Sequence, residues 1–333
     1  SRAGVARRAP RAGATVATAP VSADAPEPRT RGELIWAAVK LPIYSVALAP
    51  ICVGSAAAYA ATGGAVDGGR IAGVVASSVA VIAWLNLSND GHDADTGVDA
   101  GGAKPESVVN LFGGASTVLR VAYALLALGC AGLLRAAVSA GDARIAMLLA
   151  AAIACGYVYQ CPPFRWSYKG VGEPLCFAAF GPLATSAFYL CAVAGHEPTL
   201  VLPPVTAAAG AAAAMVGMTT TAILLCSHFH QRDGDMAAGK KSPVVRLGTA
   251  TAADVLTSGT LLAHSVAVGA CAAGVLPWAA AAAVAACAPL AFNMVRFVRR
   301  HHDVPEVVFR AKFLAVRWHV AMAVCLSLAL ALG

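Results

Sequence analysis

Long segments without any charged side chain dominate the sequence. Six of them contain no Asp, Glu, Lys or Arg: 41–62, 71–89, 145–164, 174–195, 198–231 and 255–295. Apolar runs of about 18 residues or more are long enough to cross a bilayer as helices. The last segment has about twice the length that one helix needs, and Pro277 and Trp278 indicate a turn within it.

Two further apolar segments, which contain Arg120 and Arg317, complete the set of predicted spans. The pattern predicts an all-α, polytopic membrane bundle of about nine transmembrane helices, with eight to ten allowed. The nine are expected near residues 36–61, 71–89, 115–134, 145–161, 173–194, 204–227, 253–275, 278–296 and 313–332.

Composition agrees with a membrane protein, because 59% of the 333 residues are hydrophobic, only 12% are charged and the mean hydropathy is +0.70. A soluble globule is about one-quarter charged.

Most of the excess positive charge lies in the N-terminal segment. Of the net charge of +7, residues 1–31 supply +4, so a nucleic-acid interface is not indicated. This Ala-rich, Arg-rich segment has the composition of an organelle transit peptide, the alternative being an ordinary disordered basic tail. We expect residues 32–333 to form the membrane domain.

Basic residues are distributed unequally between the two sides of the predicted bundle. Fifteen lie on one side and only Arg70, Arg135 and Arg144 on the other. The positive-inside rule therefore places the N-terminus and the loops after even-numbered helices in the cytoplasm-like compartment. The fifteen are Arg31, Lys40, Lys104, Arg165, Lys169, Arg232, Lys240, Lys241, Arg246, Arg296, Arg299, Arg300, Arg310, Lys312 and Arg317.

A first acidic cluster follows the second predicted span. Asn86, Asp90 and Asp93 are spaced i, i+4 and i+7, so they share one face of a helix. Acidic groups placed together at a membrane boundary repel one another unless a cation lies between them, and Mg²⁺ prefers such oxygen ligands together with phosphate and water. The alternative is a solvated acidic loop, which poor solvation inside the apolar segment disfavours.

A second polar cluster follows the sixth predicted span, on the same side of the membrane. Gln231 and Asp235 are four residues apart, and Lys240 follows a glycine. A carboxylate beside an ammonium suits a metal-bound diphosphate. His228 and His230 are candidates for proton transfer to or from a substrate, or simply polar groups at a helix end.

Three further basic residues are candidate anion ligands. Lys40 lies inside an apolar run, where an ammonium is costly unless it reaches the interface or an anion. Arg165 and Lys169 follow the fourth span, in a segment whose aromatic residues also fit an interfacial belt. Ten cysteines include no C-x-x-C pair, so no zinc site or disulfide framework is indicated.

The runs N-x-x-N-D-x-x-D-x-x-x-G-x-D at 86–99 and D-x-A-A-G-K-x-S at 235–242, with nine helices, resemble the UbiA superfamily of intramembrane prenyltransferases. The likeness covers residues 32–333. The ending Gly97-Val98-Asp99 resembles the MenA-type branch, which prenylates 1,4-dihydroxy-2-naphthoate. Phe229-His230-Gln231 is similar to the cyanobacterial and plastid members, which attach phytyl in phylloquinone synthesis.

The resemblance implies Mg²⁺ as cofactor, phytyl diphosphate as donor and dihydroxynaphthoate as acceptor, with loss of its carboxylate. It also implies a multi-pass protein of the thylakoid or inner envelope membrane, with its active-site loops on the stromal side. Gln231 stands where the superfamily usually has Asp, so it would reach the metal through water. The remaining roles implied are metal binding by Asn86, Asp90, Asp93 and Asp235, and diphosphate binding by Lys40, Arg165, Lys169 and Lys240.

Three alternatives remain open from the sequence. A sister-branch prenyltransferase acting on homogentisate or chlorophyllide would share the metal motifs. CDP-alcohol phosphotransferases also combine membrane helices with Asp clusters, but within one motif, whereas these two clusters lie about 140 residues apart. An ion-coupled transporter would place its acids near the midplane rather than at one face.

Overall fold

The computed structural model describes residues 30–96, 108–112, 114–193 and 204–333. The expected transit peptide up to residue 29, Asp99 and Lys104 lie outside them. The regular structure of the described residues is entirely helical. Its α-helices are α1 Arg31–Val39, α2 Ser45–Ala61, α3 Gly68–Thr96, α4 Val108–Phe112, α5 Ala115–Ala140, α6 Ala143–Gln160, α7 Gly172–Ala178, α8 Ser186–Val193, α9 Ala207–Ala237, α10 Pro243–Leu247, α11 Thr249–Ala272, α12 Trp278–His301, α13 Pro305–Val308 and α14 Ala311–Leu332.

Nine helical segments in the described part of the chain are long and apolar enough to span a bilayer, which confirms the predicted count. They are Leu41–Ala61, Gly68–Ala94, Ala115–Ala140, Ala143–Gln160, Gly172–Val193, Ala207–Ala237, Thr249–Ala272, Trp278–His301 and Pro305–Leu332. The turn expected at Pro277 separates α11 from α12.

The first span does not begin where its apolar pattern predicts. A continuous helix was expected over 36–61, but Lys40 has a left-handed backbone (φ 50°, ψ 47°) that separates α1 from a 3₁₀ turn and α2. A non-glycine residue in this region is strained and needs compensating contacts. The contact of the Lys40 side chain with Asp90, described below, supplies one.

Helices α3 and α9 continue beyond the apolar spans that predicted them. Their expected ends were residues 89 and 227, whereas α3 reaches Thr96 and α9 reaches Ala237. A charge ends an apolar pattern, but it does not end a helix that emerges into the water-exposed interface, where charged side chains are solvated. The acidic and amide side chains of both polar clusters are therefore on helices rather than in loops, whereas Lys240 lies in the turn after α9.

The fifth span contains a local change of helical type. Between α7 and α8, residues Ala179–Thr185 form a π-helical segment that includes Pro182. Proline has no N–H to donate and disturbs the usual i→i−4 pattern, so a wider turn is a common accommodation. The Thr185 hydroxyl donates to the Phe180 carbonyl at 2.8 Å, which satisfies one of the displaced backbone acceptors.

The spans pack as a closed ring. Each transmembrane segment contacts the next along the chain or its near neighbour, and α14 returns to pack against α2. Helix α9 also contacts α2 and α14, and 61% of its most apolar window is buried, compared with 28% in α5, α11 and α12. Helix α9 is therefore central, and the less buried helices present more of their apolar surface to lipid.

Small residues allow the central helices to approach closely. A Cβ placed on Gly54 of α2 would lie 2.8 Å from the Thr185 carbonyl oxygen, and one on Gly181 would lie 2.8 Å from the Ala213 carbonyl oxygen of α9. Close backbone approach at glycine is a general source of packing between membrane helices, where water provides little driving force. These contacts hold α2 and α9 against the fifth span.

Candidate active site

Both polar clusters lie at the same face of the ring. The first occupies the C-terminal turns of α3, in the second span, and the other occupies the C-terminal turns of α9, in the sixth. Even-numbered spans run in the same direction in an up-and-down bundle, so their C-terminal ends emerge on one side. This arrangement agrees with the basic residues expected there.

Asp90 is fully buried and paired with Lys40. The Lys40 Nζ lies 3.0 Å from Asp90 Oδ1 and 3.1 Å from Oδ2, and the exposed fractions of the two side chains are 30% and 0%. A buried carboxylate is strongly unfavourable without a counter-charge. The left-handed backbone at Lys40 thus brings the ammonium of the first span to the acid of the second.

The other members of the first motif lie on the same side of α3. Asn86 is buried one turn before Asp90, and Asp93 is partly buried, with Oδ2 accepting from the Asn89 Nδ2 at 3.0 Å. Asn89 is a polar contact that the sequence analysis did not single out as a site residue. The predicted i, i+4, i+7 face is therefore present as a row of oxygen-bearing side chains.

The second motif is built by the end of α9. Gly239 (φ 70°) follows the helix, and the Lys240 N–H donates to the Asp235 carbonyl at 2.7 Å while the Gly239 N–H donates to the Met236 carbonyl at 3.1 Å. These are the two hydrogen bonds of a Schellman motif, which favours glycine at its left-handed position. The chain reversal brings Lys240 Nζ to 3.2 Å from Asp235 Oδ1.

One carboxylate oxygen of Asp235 is not used in the pair with Lys240. Asp235 is 5% exposed, and its Oδ2 atom is buried with no hydrogen-bond partner in the described part of the chain. Gln231 lies one turn earlier and is partly buried. Asp233 faces outward with 72% of its side chain exposed, so it does not join this pair.

Tyr159, near the end of α6, lies between the two motifs. Its hydroxyl interacts electrostatically with the carboxylates of Asp93, Asp235 and Glu173. A Cβ on Gly172 would lie 2.8 Å from Tyr159 Cε2, so the start of α7 passes directly beside the ring. The polar ends of α3, α6, α7 and α9 therefore converge around one aromatic side chain.

The two histidine candidates are separated by the structure. His228 is 3% exposed and its Nδ1 lies 2.9 Å from Glu173 Oε1. The ring of His230 instead packs edge-on against Phe309, with ring centroids 6.2 Å apart. Residues two apart on a helix project about 200° from each other, which accounts for the difference. His228 therefore contacts Glu173, which belongs to the group around Tyr159.

The segment after α6 lies over the second motif. The Lys241 N–H donates to the Tyr168 carbonyl at 3.0 Å, which attaches this segment to the turn after α9. Arg165 is partly buried with a left-handed backbone (φ 41°), whereas Lys169 is exposed with its Nζ 6.0 Å from the Trp166 ring centroid. Diphosphate binding by Arg165 and Lys169 stays a prediction.

Tyr159 and Glu173 are the residues of this site to which the sequence analysis gave no role. Tyr159 resembled one more member of an interfacial aromatic group. Glu173 is an acid at the start of an otherwise uncharged span, which is a signal of an intramembrane functional group. That signal could have identified it, but its partner on α9 lies 55 positions away.

The donor atoms fit a hydrated divalent cation better than a preformed cage. Among the described residues, no group of three or more His, Cys, Asp and Glu side chains is arranged to hold a metal ion. Mg²⁺ commonly uses one or two carboxylates and completes its octahedron with water and phosphate oxygens. The unpartnered Oδ2 of Asp235, together with the oxygens of Asn86, Asp90 and Asp93, supplies ligands of that kind.

An apolar cavity lies one turn deeper than the polar site. It holds about 580 Å³ of empty space, part of it open to the exterior. Ser78 is its one hydroxyl-bearing lining residue, and Leu85 and Gly156 connect it to the turns that carry Asn86 and Gln160. The remaining lining residues include Val46, Pro50, Val81, Ile153, Phe180 and Phe188.

Fold and site define a polytopic membrane protein whose helical ring holds paired acids and lysines above an apolar cavity. Residues 47–331 match the UbiA prenyltransferase family. This match covers most of the sequence, and the chain belongs to that family. The resemblance stated from the two motifs is therefore confirmed.

Curated relatives carry the similarity further. The chain is 46% identical over 303 residues to the chloroplastic 2-carboxy-1,4-naphthoquinone phytyltransferase of Arabidopsis thaliana, covering 91% of this chain and 78% of that protein. It is 42% identical to the 2-carboxy-1,4-naphthoquinone phytyltransferase of a Synechocystis strain, covering 88% and 91% of the two chains. A 1,4-dihydroxy-2-naphthoate octaprenyltransferase of Mycobacterium leprae is 30% identical, over 76% of this chain and 82% of that protein.

Solved structures share the fold. A UbiA homolog from Archaeoglobus fulgidus bound to GPP and Mg²⁺ has a TM-score of 0.56 at 13% identity, covering 89% of this chain and 99% of that one. The same homolog bound to DMAPP and Mg²⁺ has a TM-score of 0.56 at 15% identity, with the same coverage. At such identities the likeness concerns the fold alone, and it agrees with the nine-span ring.

Proposed function

We propose that this protein transfers a phytyl group from phytyl diphosphate to the reduced form of 2-carboxy-1,4-naphthoquinone, which is 1,4-dihydroxy-2-naphthoate. The acceptor carboxylate leaves as carbon dioxide, and the product enters phylloquinone synthesis. The observation that carries the proposal is the pairing of Asp90 with Lys40 and of Asp235 with Lys240 at the same end of the bundle. The names of the two phytyltransferase relatives support the choice of donor and acceptor.

The two lysines are suited to the donor diphosphate. In the described structure each ammonium neutralises one motif carboxylate, at 3.0 Å for Lys40 and 3.2 Å for Lys240. A diphosphate that binds between the motifs would offer both ammoniums stronger anionic partners. Asn86, Asp90, Asp93 and Asp235 would hold Mg²⁺, and the chemistry that this ion supplies when bound is stabilisation of the departing diphosphate.

The apolar cavity is suited to the isoprenoid chain. Its lining is almost entirely aliphatic and aromatic, and it begins beneath the polar ends of α3 and α6. Ionisation of an allylic diphosphate generates a cation that water would capture, so a water-poor environment protects it. A donor that reaches this cavity from the lipid would present its diphosphate to the motifs and its tail to the hydrophobic lining.

The acceptor chemistry explains why the reduced ring is the reacting form. A quinone ring is electron-poor, whereas the dihydroxy form donates electron density from its oxygens and can attack a carbon cation. Attack by the carboxylate-bearing carbon followed by loss of carbon dioxide restores the aromatic ring. An assay with the quinone therefore needs a chemical reductant.

The chloroplastic relative supports a plastid membrane as the location, either thylakoid or inner envelope. The excess of basic residues at the end that carries Asp90 and Asp235 supports a stromal active site. Protease protection in sealed membranes, probed at an epitope inserted after α10, tests this orientation.

The decisive experiment measures product formation by the purified protein in detergent with Mg²⁺, phytyl diphosphate and dithionite-reduced acceptor. Homogentisate and chlorophyllide are assayed in parallel. We expect transfer to dihydroxynaphthoate with one carbon dioxide released per product. Transfer to another acceptor instead would retain the class and reject the branch, and no diphosphate release with any acceptor would reject the enzyme function.

A further inference from the structure

We propose that Glu173 binds the acceptor hydroxyl and accepts its proton during prenyl transfer, while His228 holds the Glu173 carboxylate in place. This proposal rests on the proposed prenyl transfer and assigns the acceptor side of the same site. It concerns a residue pair outside the two acidic motifs, on the first turn of α7 and the seventh turn of α9.

The two oxygens of Glu173 have different environments. Oε1 contacts His228 Nδ1 at 2.9 Å, whereas Oε2 is buried and has no hydrogen-bond partner among the residues that the structure describes. Buried polar atoms are almost always hydrogen-bonded, and an unsatisfied one is destabilising. A carboxylate with one oxygen fixed and the other open is an arrangement that a hydroxyl donor from a substrate would complete.

Glu173 lies near the two acidic motifs that are proposed to bind the prenyl donor. Its position and its partner favour a role toward the aromatic acceptor. A Cβ on Gly172, the residue before Glu173, would lie 2.8 Å from Tyr159 Cε2. His228, which contacts Glu173, lies about two turns before Asp235 on α9, so Glu173 lies at the same end of the bundle as the two motifs. Asp90 and Asp235 are engaged by lysines, while the ion-pair partner of Glu173 in the described residues is an imidazole. A carboxylate without an ammonium partner is better suited to take a proton than to hold a diphosphate.

The proposed step conserves protons and electrons. The C–O bond of the prenyl diphosphate breaks and diphosphate leaves with that electron pair. The ring carbon then forms its bond to the prenyl carbon, while the hydroxyl proton passes to Glu173 Oε2 and the O–H electron pair becomes the second bond of a ring carbonyl. Loss of carbon dioxide returns an electron pair to the ring, and the proton then returns from Glu173 to that oxygen. No oxidant or additional reactant is consumed.

Glu173→Gln tests the role while keeping a carbonyl oxygen for the bond from His228. We expect kcat for phytyl transfer to fall at least 100-fold, with the KM for phytyl diphosphate and the inhibition constant of inorganic pyrophosphate within twofold of wild type. Glu306→Gln is the matched control, because Glu306 is an exposed acid in the first turn of α13. It should retain wild-type kinetics.

An acceptor analogue separates hydroxyl recognition from general damage. The 1-methoxy analogue of the acceptor cannot donate to Glu173, so its inhibition constant should be the same for wild type and Glu173→Gln, while the KM of the true acceptor rises. Equal loss of affinity for both compounds would overturn the proposal. So would a kcat within threefold of wild type, or a tenfold change in pyrophosphate inhibition, which would assign Glu173 to the donor.

His228→Asn provides a second route, including the case in which Glu173→Gln does not fold. A positioning residue should lower kcat by about tenfold without changing pyrophosphate inhibition, and Glu173→Gln/His228→Asn should be no worse than Glu173→Gln alone. Unchanged kcat in His228→Asn, or additive losses in the double variant, would overturn the positioning role. A wild-type protein inactive with every acceptor would instead reject the proposed function and, with it, this assignment.

Discussion

Replacing Lys40 should destabilise the protein, because Lys40 supplies the counter-charge of the buried Asp90 carboxylate. Both Asp90 oxygens lie within 3.1 Å of Lys40 Nζ, and the Asp90 side chain is 0% exposed. Removing one partner of a buried ion pair typically costs about 3–5 kcal/mol. Because Lys40 is 30% exposed and water can enter its place, we expect Lys40→Met to cost roughly 2–4 kcal/mol.

The loss should be visible as a lower apparent melting temperature of the detergent-solubilised protein. At about 2–4 °C per kcal/mol for a domain of this size class, the shift is roughly 4–16 °C. The double variant Lys40→Met/Asp90→Asn no longer carries a charge at the buried position, so it should recover most of the stability while remaining inactive. Millimolar Mg²⁺ should also raise the melting temperature of Lys40→Met, but not that of the double variant.

An exposed ion pair provides the control. Arg299 Nη1 lies 3.2 Å from Asp254 Oδ1, with exposed fractions of 55% and 63%. Pairs of this kind contribute about 0–1 kcal/mol. Arg299→Met should therefore change the melting temperature only slightly. The reasoning is refuted if Lys40→Met costs no more than Arg299→Met, or if the double variant is no more stable than Lys40→Met.

Three further predictions concern the site and the opposite face. Asp235→Asn should abolish phytyl transfer, measured as diphosphate release, while Asp233→Asn, two residues away and exposed, should stay within twofold of wild type. Chelation with EDTA should remove at least 99% of activity, and added Mg²⁺ should restore it. The same concentration of Ca²⁺ should not restore it, because Ca²⁺ prefers longer bonds and more ligands. Full activity in EDTA would contradict the metal assignment. Hydrogen bonds from Arg144 lower the pKa of Asp142, although burial opposes this shift. The ionised Asp142 therefore stabilises the folded protein fully above the ordinary pKa of Asp. This stabilisation is lost as the pH falls through the lower pKa that Asp142 has in the folded state. The difference in melting temperature between wild type and Asp142→Asn should therefore shrink below about pH 4, and a constant difference down to pH 3 would contradict this.

The membrane spans were predictable because their signal is local. Uncharged apolar runs of sufficient length have few stable alternatives to a transmembrane helix, so their number follows from the sequence. The ends of α3 and α9 were not predictable in this way. Apolar pattern reports where a helix leaves lipid, whereas the helix itself ends where capping takes over, as at Gly239.

Site residues that are close together in the sequence were predictable, whereas pairs that form between distant helices were not. Asn86, Asp90 and Asp93 lie within eight residues and share a helical face, so their spacing alone indicates a cation site. The pairing of Glu173 with His228 depends on how α7 packs against α9, which no local pattern contains. The same holds for Lys40 and Asp90, which are 50 positions apart.

The closure of the ring by α14 against α2 has a consequence for how the protein is made. Helices enter the membrane in the order of synthesis, so the face of α2 that packs on α14 stays open to lipid until the last span has been inserted. His319 of α14 then completes contacts with the Thr219 hydroxyl of α9, at 2.8 Å, and the Ser45 carbonyl of α2, at 3.4 Å. The seam between the first and last spans is thus the final joint in assembly, and a chain that lacks α14 keeps the ring open along this seam.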